Sequence, residues 1–405
     1  MLNIIPAQYS LGDNMALQGL SYCTRFVVHH AHAHASRLAV LCAAVQSDSF
    51  KCRIGAKRCL LSEEVVKLHD FQQRKLAMAL QVSGSKSDYF DALNKKMEKN
   101  EFILKAELKL LLHLCQSAED MVTARKAIYR YHEENCNVAF GEFKFGPLFM
   151  RLCYELGLED MALSTLTDRT LKGLFSDCTS FNIGIDILFT KGCYEGALEV
   201  VREMKTQGVR FNKDTFMLAF ATCYKLNTPK SFRICLALME EGQIKGTLIP
   251  RHAYCFAVAL ALKQNDLERA QGIYSQIMNT DSRLCQNLRV LILVMEGSIK
   301  DVLSAFNEAL LPKTPVFIKK PEFSQDVVDA LMEISADGPW EVRVEQVLRQ
   351  LQQTGQVTPQ SLDDLLCHTP SGKRRPSNIL DWERGRRKSF SRRTLKPLQS
   401  TLLSE

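Results

Sequence analysis

Proline is scarce in this chain. Its 405 residues hold only twelve, with none between Pro6 and Pro147 or between Pro147 and Pro229. An interior proline costs a helix about 3 kcal/mol, so these two stretches favour long uninterrupted helix. Long apolar runs are also missing: the longest, Ala253 to Leu262, is ten residues bounded by His252 and Lys263. A membrane-spanning helix needs about 20 apolar residues, so no membrane span is expected. None of the fourteen cysteines forms a C-x-x-C pair. Many of them, such as Cys153, Cys223 and Cys235, sit at apolar helical positions, where a free thiol behaves as a small hydrophobe. That pattern excludes a zinc ribbon or disulfide framework and suits a reducing compartment. There is no glycine-rich phosphate loop, no nucleophile elbow and no H-E-x-x-H helix, so no catalytic residue, metal, cofactor or small-molecule substrate is expected. The pair Asp363-Asp364 follows Thr358-Pro359, a helix-start signal, and reads as a complement to a helix dipole.

Positive charge is unevenly placed. Residues 1–62 carry six basic and two acidic side chains, giving +4; residues 369–405 carry ten and three, giving +7. With a total of +7, the body from Glu63 to His368 is left with 7 − 4 − 7 = −4. The acid-poor segment 1–62, rich in Ala, Ser and Leu, has the make-up of a mitochondrial transit peptide and predicts a matrix location. Its histidines (His29, His30, His32, His34) lack a scaffold to converge them on a metal. The tail 369–405 is read as basic and disordered. Its Arg386-Arg387-Lys388 and Arg392-Arg393 clusters flank Phe390, a cation-and-ring pattern suited to single-stranded nucleic acid.

The middle of the chain repeats itself every thirty-five residues. The clearest copy, Cys178 to Asn212, has an apolar first half ending at Lys191-Gly192, a cation and a glycine stop. Its second half places Tyr194, Ala197, Leu198, Val201 and Met204 on one helical face and ends at Gly208. Copies begin near Lys105, Phe143, Lys213, Arg251 and Arg283, and a small residue recurs after the turn at Ala124, Ala162, Ala197 and Ala270. A two-helix unit of this kind cannot hide its apolar face alone and must stack on its neighbours. The expected fold is all-α: a right-handed α-α superhelix, or solenoid, of helix-turn-helix repeats. The expected organisation is a helical N-terminal cap over 63–104, six hairpins over 105–317 and a C-terminal helical cap over 318–368.

The unit resembles the pentatricopeptide repeat. Phe181-Asn182, Lys191-Gly192, Glu195, Ala197-Leu198, Met204 and Gly208-Val209 all fall on that motif's positions. The tetratricopeptide repeat fits less well, because both tryptophans, Trp340 and Trp382, lie outside the array and Ile185 stands where that motif wants glycine. The whole chain, including Ala56–Arg58 and Arg74-Lys75 ahead of the array, resembles a mitochondrial member of the family. That resemblance implies a protein needed for maturation of mitochondrial transcripts and for respiratory-chain function. It also implies that the trough lined by successive first helices holds a single strand of RNA, about one nucleotide per repeat. The reading positions would be the fifth and last residues of each unit.

In the best copy these positions are Asn182 and Asn212, amides that both donate and accept. By the resemblance this pair favours a pyrimidine, and Asn182→Ala is expected to weaken binding at one nucleotide with the fold intact. Asn182 also reads as a first-helix cap. Elsewhere the pattern departs: Lys109 pairs with Ala139, Pro147 with Asp177, Met217 with Thr247, Cys255 with Cys285, and Asn287 with Phe317. Thr179, Asp214 and His252 occupy a place where the family usually has an aliphatic wedge. Lys191, Lys225 and Lys263 recur near the ends of first helices, as phosphate contacts or as C-terminal dipole partners. The expected activity is therefore that of a non-enzymatic RNA-binding adaptor working with other RNA-processing proteins. A protein-binding scaffold, ribosome- or processing-complex-associated, is the alternative.

Overall fold

In a computed structural model, residues 59–81, 84–135, 144–311, 320–336 and 338–369 are described. All of them belong to the second of the chain's two compact units, Arg58–Glu405. Residues 1–58, including the histidine cluster, Phe317 and the tail arginines lie outside the described residues.

The described residues form the expected all-α repeat fold. Three helices precede the array: α1 (Glu63–Val66), α2 (Leu68–Gln81) and α3 (Lys86–Glu98). Paired helices follow. The first members are α4 (Lys105–Leu114), α6 (Gly146–Leu156), α8 (Cys178–Lys191), α10 (Lys213–Leu226), α12 (Arg251–Lys263) and α14 (Arg283–Met295). Their partners are α5 (Ala118–Asn135), α7 (Glu159–Leu166), α9 (Tyr194–Thr206), α11 (Pro229–Ile244), α13 (Leu267–Tyr274) and α15 (Ile299–Leu310). A seventh pair, α16 (Gln325–Ser335) and α17 (Glu341–Gln353), continues the stack, and a short α18 (Leu362–Leu366) ends it. Two residues of strand on each side, β1 (Phe323–Ser324) and β2 (Val357–Thr358), pair in parallel.

Local chemistry sets the helix ends. Asp177 caps α8 by accepting from Ser180 N, and Gly192 stops it in the left-handed region at φ 83°, where a side chain is strained. Thr228 and Ser231 form a reciprocal capping box at α11, with Pro229 at the first position. Successive first helices touch in one unbroken row, α4 to α6 to α8 and onward to α16, with the second helices packed behind. The recurring alanines Ala124, Ala162, Ala197 and Ala270 are completely buried, as close helix contact requires. Gly184 serves the same end: a Cβ there would come within 2.3 Å of Leu166 Cδ1. One core runs from Leu60 through Ile292, and a second spans α14 to α17.

Candidate nucleic-acid interface

Residues four apart lie on one face of a helix, so Asn182 and Asp186 share a face of α8. The equivalent face carries Pro147 and Arg151 on α6, Met217 and Ala221 on α10, and Cys255 and Ala259 on α12. This is the face expected to line an open trough. It is closed instead, by the chain's own residues from both ends of the described region.

From the N-terminal side, the backbone N–H groups of Leu60 and Leu61 donate to Asp186 Oδ1 at 2.8 and 3.4 Å. Arg151 Nε donates to Val66 O at 2.6 Å. Lys75 on α2 pairs with Glu155 of α6 at 2.6 Å, and Gln72 donates to the same carboxylate at 3.5 Å. From the C-terminal side, Asp363 accepts from Lys225 Nζ at 2.6 and 2.8 Å. Leu366 O lies 2.6 Å from His252 Nε2, and Arg283 donates to Thr358 and Gln360. Leu366 and Cys367 are buried in the main core. The two covering segments meet where Thr369 Oγ1 donates to Cys59 O at 2.5 Å.

Three central first helices, α8, α10 and α12, are consequently buried on every side over much of their length. Ser180–Phe189 in α8, Thr215–Tyr224 in α10 and Cys255–Leu262 in α12 are unbroken buried runs. A two-layer array with an open inner wall would leave every third or fourth of these residues in water. The expectation of an open trough is therefore corrected. The physical reason is that Asp186, Arg151 and Lys225 each find an in-chain partner more than eighty residues away.

Two of the anticipated reading pairs come together, Asn182 with Asn212 and Cys255 with Cys285. Asn182 Nδ2 donates to Asn212 Oδ1 at 3.1 Å, and Asn182 Oδ1 accepts from the Thr215 hydroxyl at 2.8 Å. Asn182 is only 1% exposed. Asn212, not Asn182, is the helix cap, accepting from Thr215 N at the start of α10. Two units on, Cys255 Sγ and Cys285 Sγ lie 3.6 Å apart, both buried. Asn287 donates to Arg283 O and Glu322 O and accepts from Ser324 N, which uses both its donors and its oxygen within the chain. Met217 is buried among apolar neighbours. Asn182→Ala thus removes part of the core's hydrogen bonding and is expected to lower stability.

The three lysines lie in the last turns of α8, α10 and α12, where a cation suits the dipole. Each also has a partner in the chain. Lys191 pairs with Glu159 at 2.8 Å, Lys225 binds Asp363, and Lys263 Nζ sits 3.9 Å from the Tyr224 ring centroid. Burial opposes the charge of Lys225, and the Asp363 hydrogen bonds more than offset it, leaving its pKa raised. For Lys263 burial wins and the pKa is lowered. Asp363 and Asp364 occupy the first turn of α18, as expected of dipole partners, although the cap is Ser361 rather than Thr358.

The sequence reading missed Asp186. It is the single carboxylate in the apolar run Ile183 to Phe189, and that isolation is the signal that marks it. It is fully buried; burial pushes its pKa up to about 7, against the opposing Leu60 and Leu61 N–H groups. Among the described residues, no group of three or more His, Cys, Asp or Glu side chains is placed to hold a metal ion. No described helix is long and apolar enough to cross a membrane.

Comparison with known proteins is consistent along the chain. A family profile described as "Mitochondrial 28S ribosomal protein S27" matches residues 34–237. The chain is 60% identical over 391 residues to "Pentatricopeptide repeat-containing protein 2, mitochondrial" from Danio rerio, covering 96% of this chain and 100% of that one. The Homo sapiens protein of the same name is 48% identical over 360 residues, covering 89% and 92%. Among solved structures, "Crystal structure of the pentatricopeptide repeat protein PPR10 from maize" aligns with TM-score 0.36 and 16% identity, over 71% of this chain and 43% of that one. With a repeat every thirty-five residues and relatives alike over nearly their whole length, the chain belongs to the mitochondrial 28S ribosomal protein S27 family and to the mitochondrial pentatricopeptide repeat-containing proteins 2.

Proposed function

We propose that the chain is a non-catalytic adaptor of the mitochondrial matrix. It binds single-stranded mitochondrial RNA and takes part in transcript maturation with other processing proteins, and through that in respiratory-chain function. The observation that carries this reading is the bridge between the fifth and last positions of one repeat. Asn182 and Asn212 join at 3.1 Å there, the pair through which repeats of this family address a base. Asn182 is 1% exposed, so a strand reaches that pair only when this burial is relieved. While it lasts, RNA contact falls to the surfaces left open and to the basic clusters Arg386-Arg387-Lys388 and Arg392-Arg393. Crosslinking and sequencing of RNA bound to the protein in isolated mitochondria tests the proposal. Enrichment of particular transcripts is expected, and recovery at background level would overturn it.

The covered trough favours a second reading, a scaffold that binds proteins. The family profile's name belongs to a ribosomal protein, and the occupied inner wall leaves the array's outer surfaces as the docking faces. Under that reading the protein sediments with ribosomal or processing particles after RNase treatment, and no transcript is enriched.

A further inference from the structure

We infer that the edge of the array where each second helix turns into the next first helix is a phosphate-binding cleft for single-stranded RNA. Its anchors are Lys144, Lys172 and Arg210. This inference rests on the RNA-binding reading above and gives that reading a site.

Two cavities lie side by side on this edge. One, of about 500 Å³, is lined by Lys144, Lys172, Phe175, Asp177 and Arg210. The other, of about 530 Å³, is lined by Lys205, Arg210, Phe211, Phe216, Glu241 and Lys245. They share Gly208, Val209 and Arg210, so Arg210 stands where the two join. Lys144, Lys172 and Arg210 are exposed, and none of them makes an ion pair among the described residues. That sets them apart from the trough lysines, Lys191 and Lys225, which have carboxylate partners.

The acids in the clefts are already committed. Both oxygens of Asp177 accept from Ser180, and Glu241 is shared between Lys205 and Lys245. Five cations against two acids leave +3 on this edge, whereas the body from Glu63 to His368 carries −4. Charge of one sign, concentrated against the sign of its surroundings and left unpaired, is what a polyanion needs. Half-buried Phe211, edge-on to Phe216 at 5.7 Å, adds a ring surface on which a base can stack. Lys213, exposed in the first turn of α10, extends the positive edge from a place where the helix dipole disfavours a cation.

Phosphate contacts of this kind hold a strand without reading its sequence. The cleft thus supplies affinity while the trough remains covered.

The test uses the full chain and a short fluorescent oligouridylate, with anisotropy followed over a salt series. The variant K144Q/K172Q/R210Q is compared with K126Q/K230Q/R233Q, which removes the same charge from exposed positions on α5 and α11. Circular dichroism confirms that both keep the helical fold. The cleft variant is expected to bind about tenfold more weakly at ~0.1 M salt, with a log–log salt slope shallower by about 2; the control should lose far less. Equal losses in the two variants, or no loss in either, would overturn the cleft and leave RNA binding standing. Failure of the unmodified chain to bind the oligouridylate would overturn the RNA reading itself, and the cleft with it.

Discussion

At the residue scale, two buried polar groups on α8 govern what substitution does. Asn182 gives and receives hydrogen bonds inside the core, and its truncation leaves the Thr215 hydroxyl without its 2.8 Å acceptor. Asn182→Ala should cost about 1–3 kcal/mol of stability, measurable as a fall in the denaturant midpoint; a midpoint equal to the parent's would contradict the burial. Asp186 is the other. Its carboxyl is held up to about 7 from an ordinary 3.8, chiefly by burial. Below the ordinary value both folded and unfolded forms carry the proton, so nothing is lost. Between about 4 and 7 the folded form keeps a proton that the unfolded form has released, so stability falls as pH rises, and above 7 the loss is complete. Asp186→Asn cannot titrate and retains an acceptor oxygen for Leu60. It should flatten that slope and be more stable at pH 8 by on the order of 1–4 kcal/mol. Urea melts across this pH range that show the parent's slope in the variant would contradict this.

At the element scale, the hairpins were legible and their covers were not. First helices begin at Lys105, Cys178, Lys213, Arg251 and Arg283, where the repeat copies begin in the sequence, and at Gly146 rather than Phe143. Capping residues and glycine stops act over three or four residues, a distance that a sequence pattern displays directly. Residues 59–61 and α18 act across 126, 138 and 114 positions, through Asp186, Lys225 and His252. No periodicity encodes such separations, and α18 showed only its helix-start signal. The anticipated site suffered for the same reason: fifth and last positions meet at Asn182–Asn212 and Cys255–Cys285, but nothing local says what lies over them. Replacing Leu366, the completely buried end residue of α18, with aspartate should lift α18 from α12 and α14. Maleimide labelling of Cys255 and Cys285, read peptide by peptide, should then quicken about tenfold or more. Labelling at the parent's rate would mean that α18 does not seal the wall. Gly184→Ala probes the array itself. The added methyl would meet Leu166 Cδ1 at 2.3 Å, and the overpacking should cost about 1–3 kcal/mol by thermal melting.

At the scale of the whole molecule, charge and covering act together. The body from Glu63 to His368 carries −4, and its inner wall is occupied by its own carboxylates and backbone. Among the described residues, Lys144, Lys172 and Arg210 leave positive charge without an ion pair on the repeat-joining edge. An RNA strand in this account lies along the edge, held by its phosphates, and meets Asn182 and Asn212 only when the burial of Asn182 is relieved. Ultraviolet crosslinking of the full chain to single-stranded RNA, with the modified peptides mapped by mass spectrometry, tests this most directly. Adducts are expected on the peptides holding Lys144, Lys172 and Arg210. Adducts confined to the inner faces of α8, α10 and α12, at Asn182, Met217 or Cys255, would contradict it.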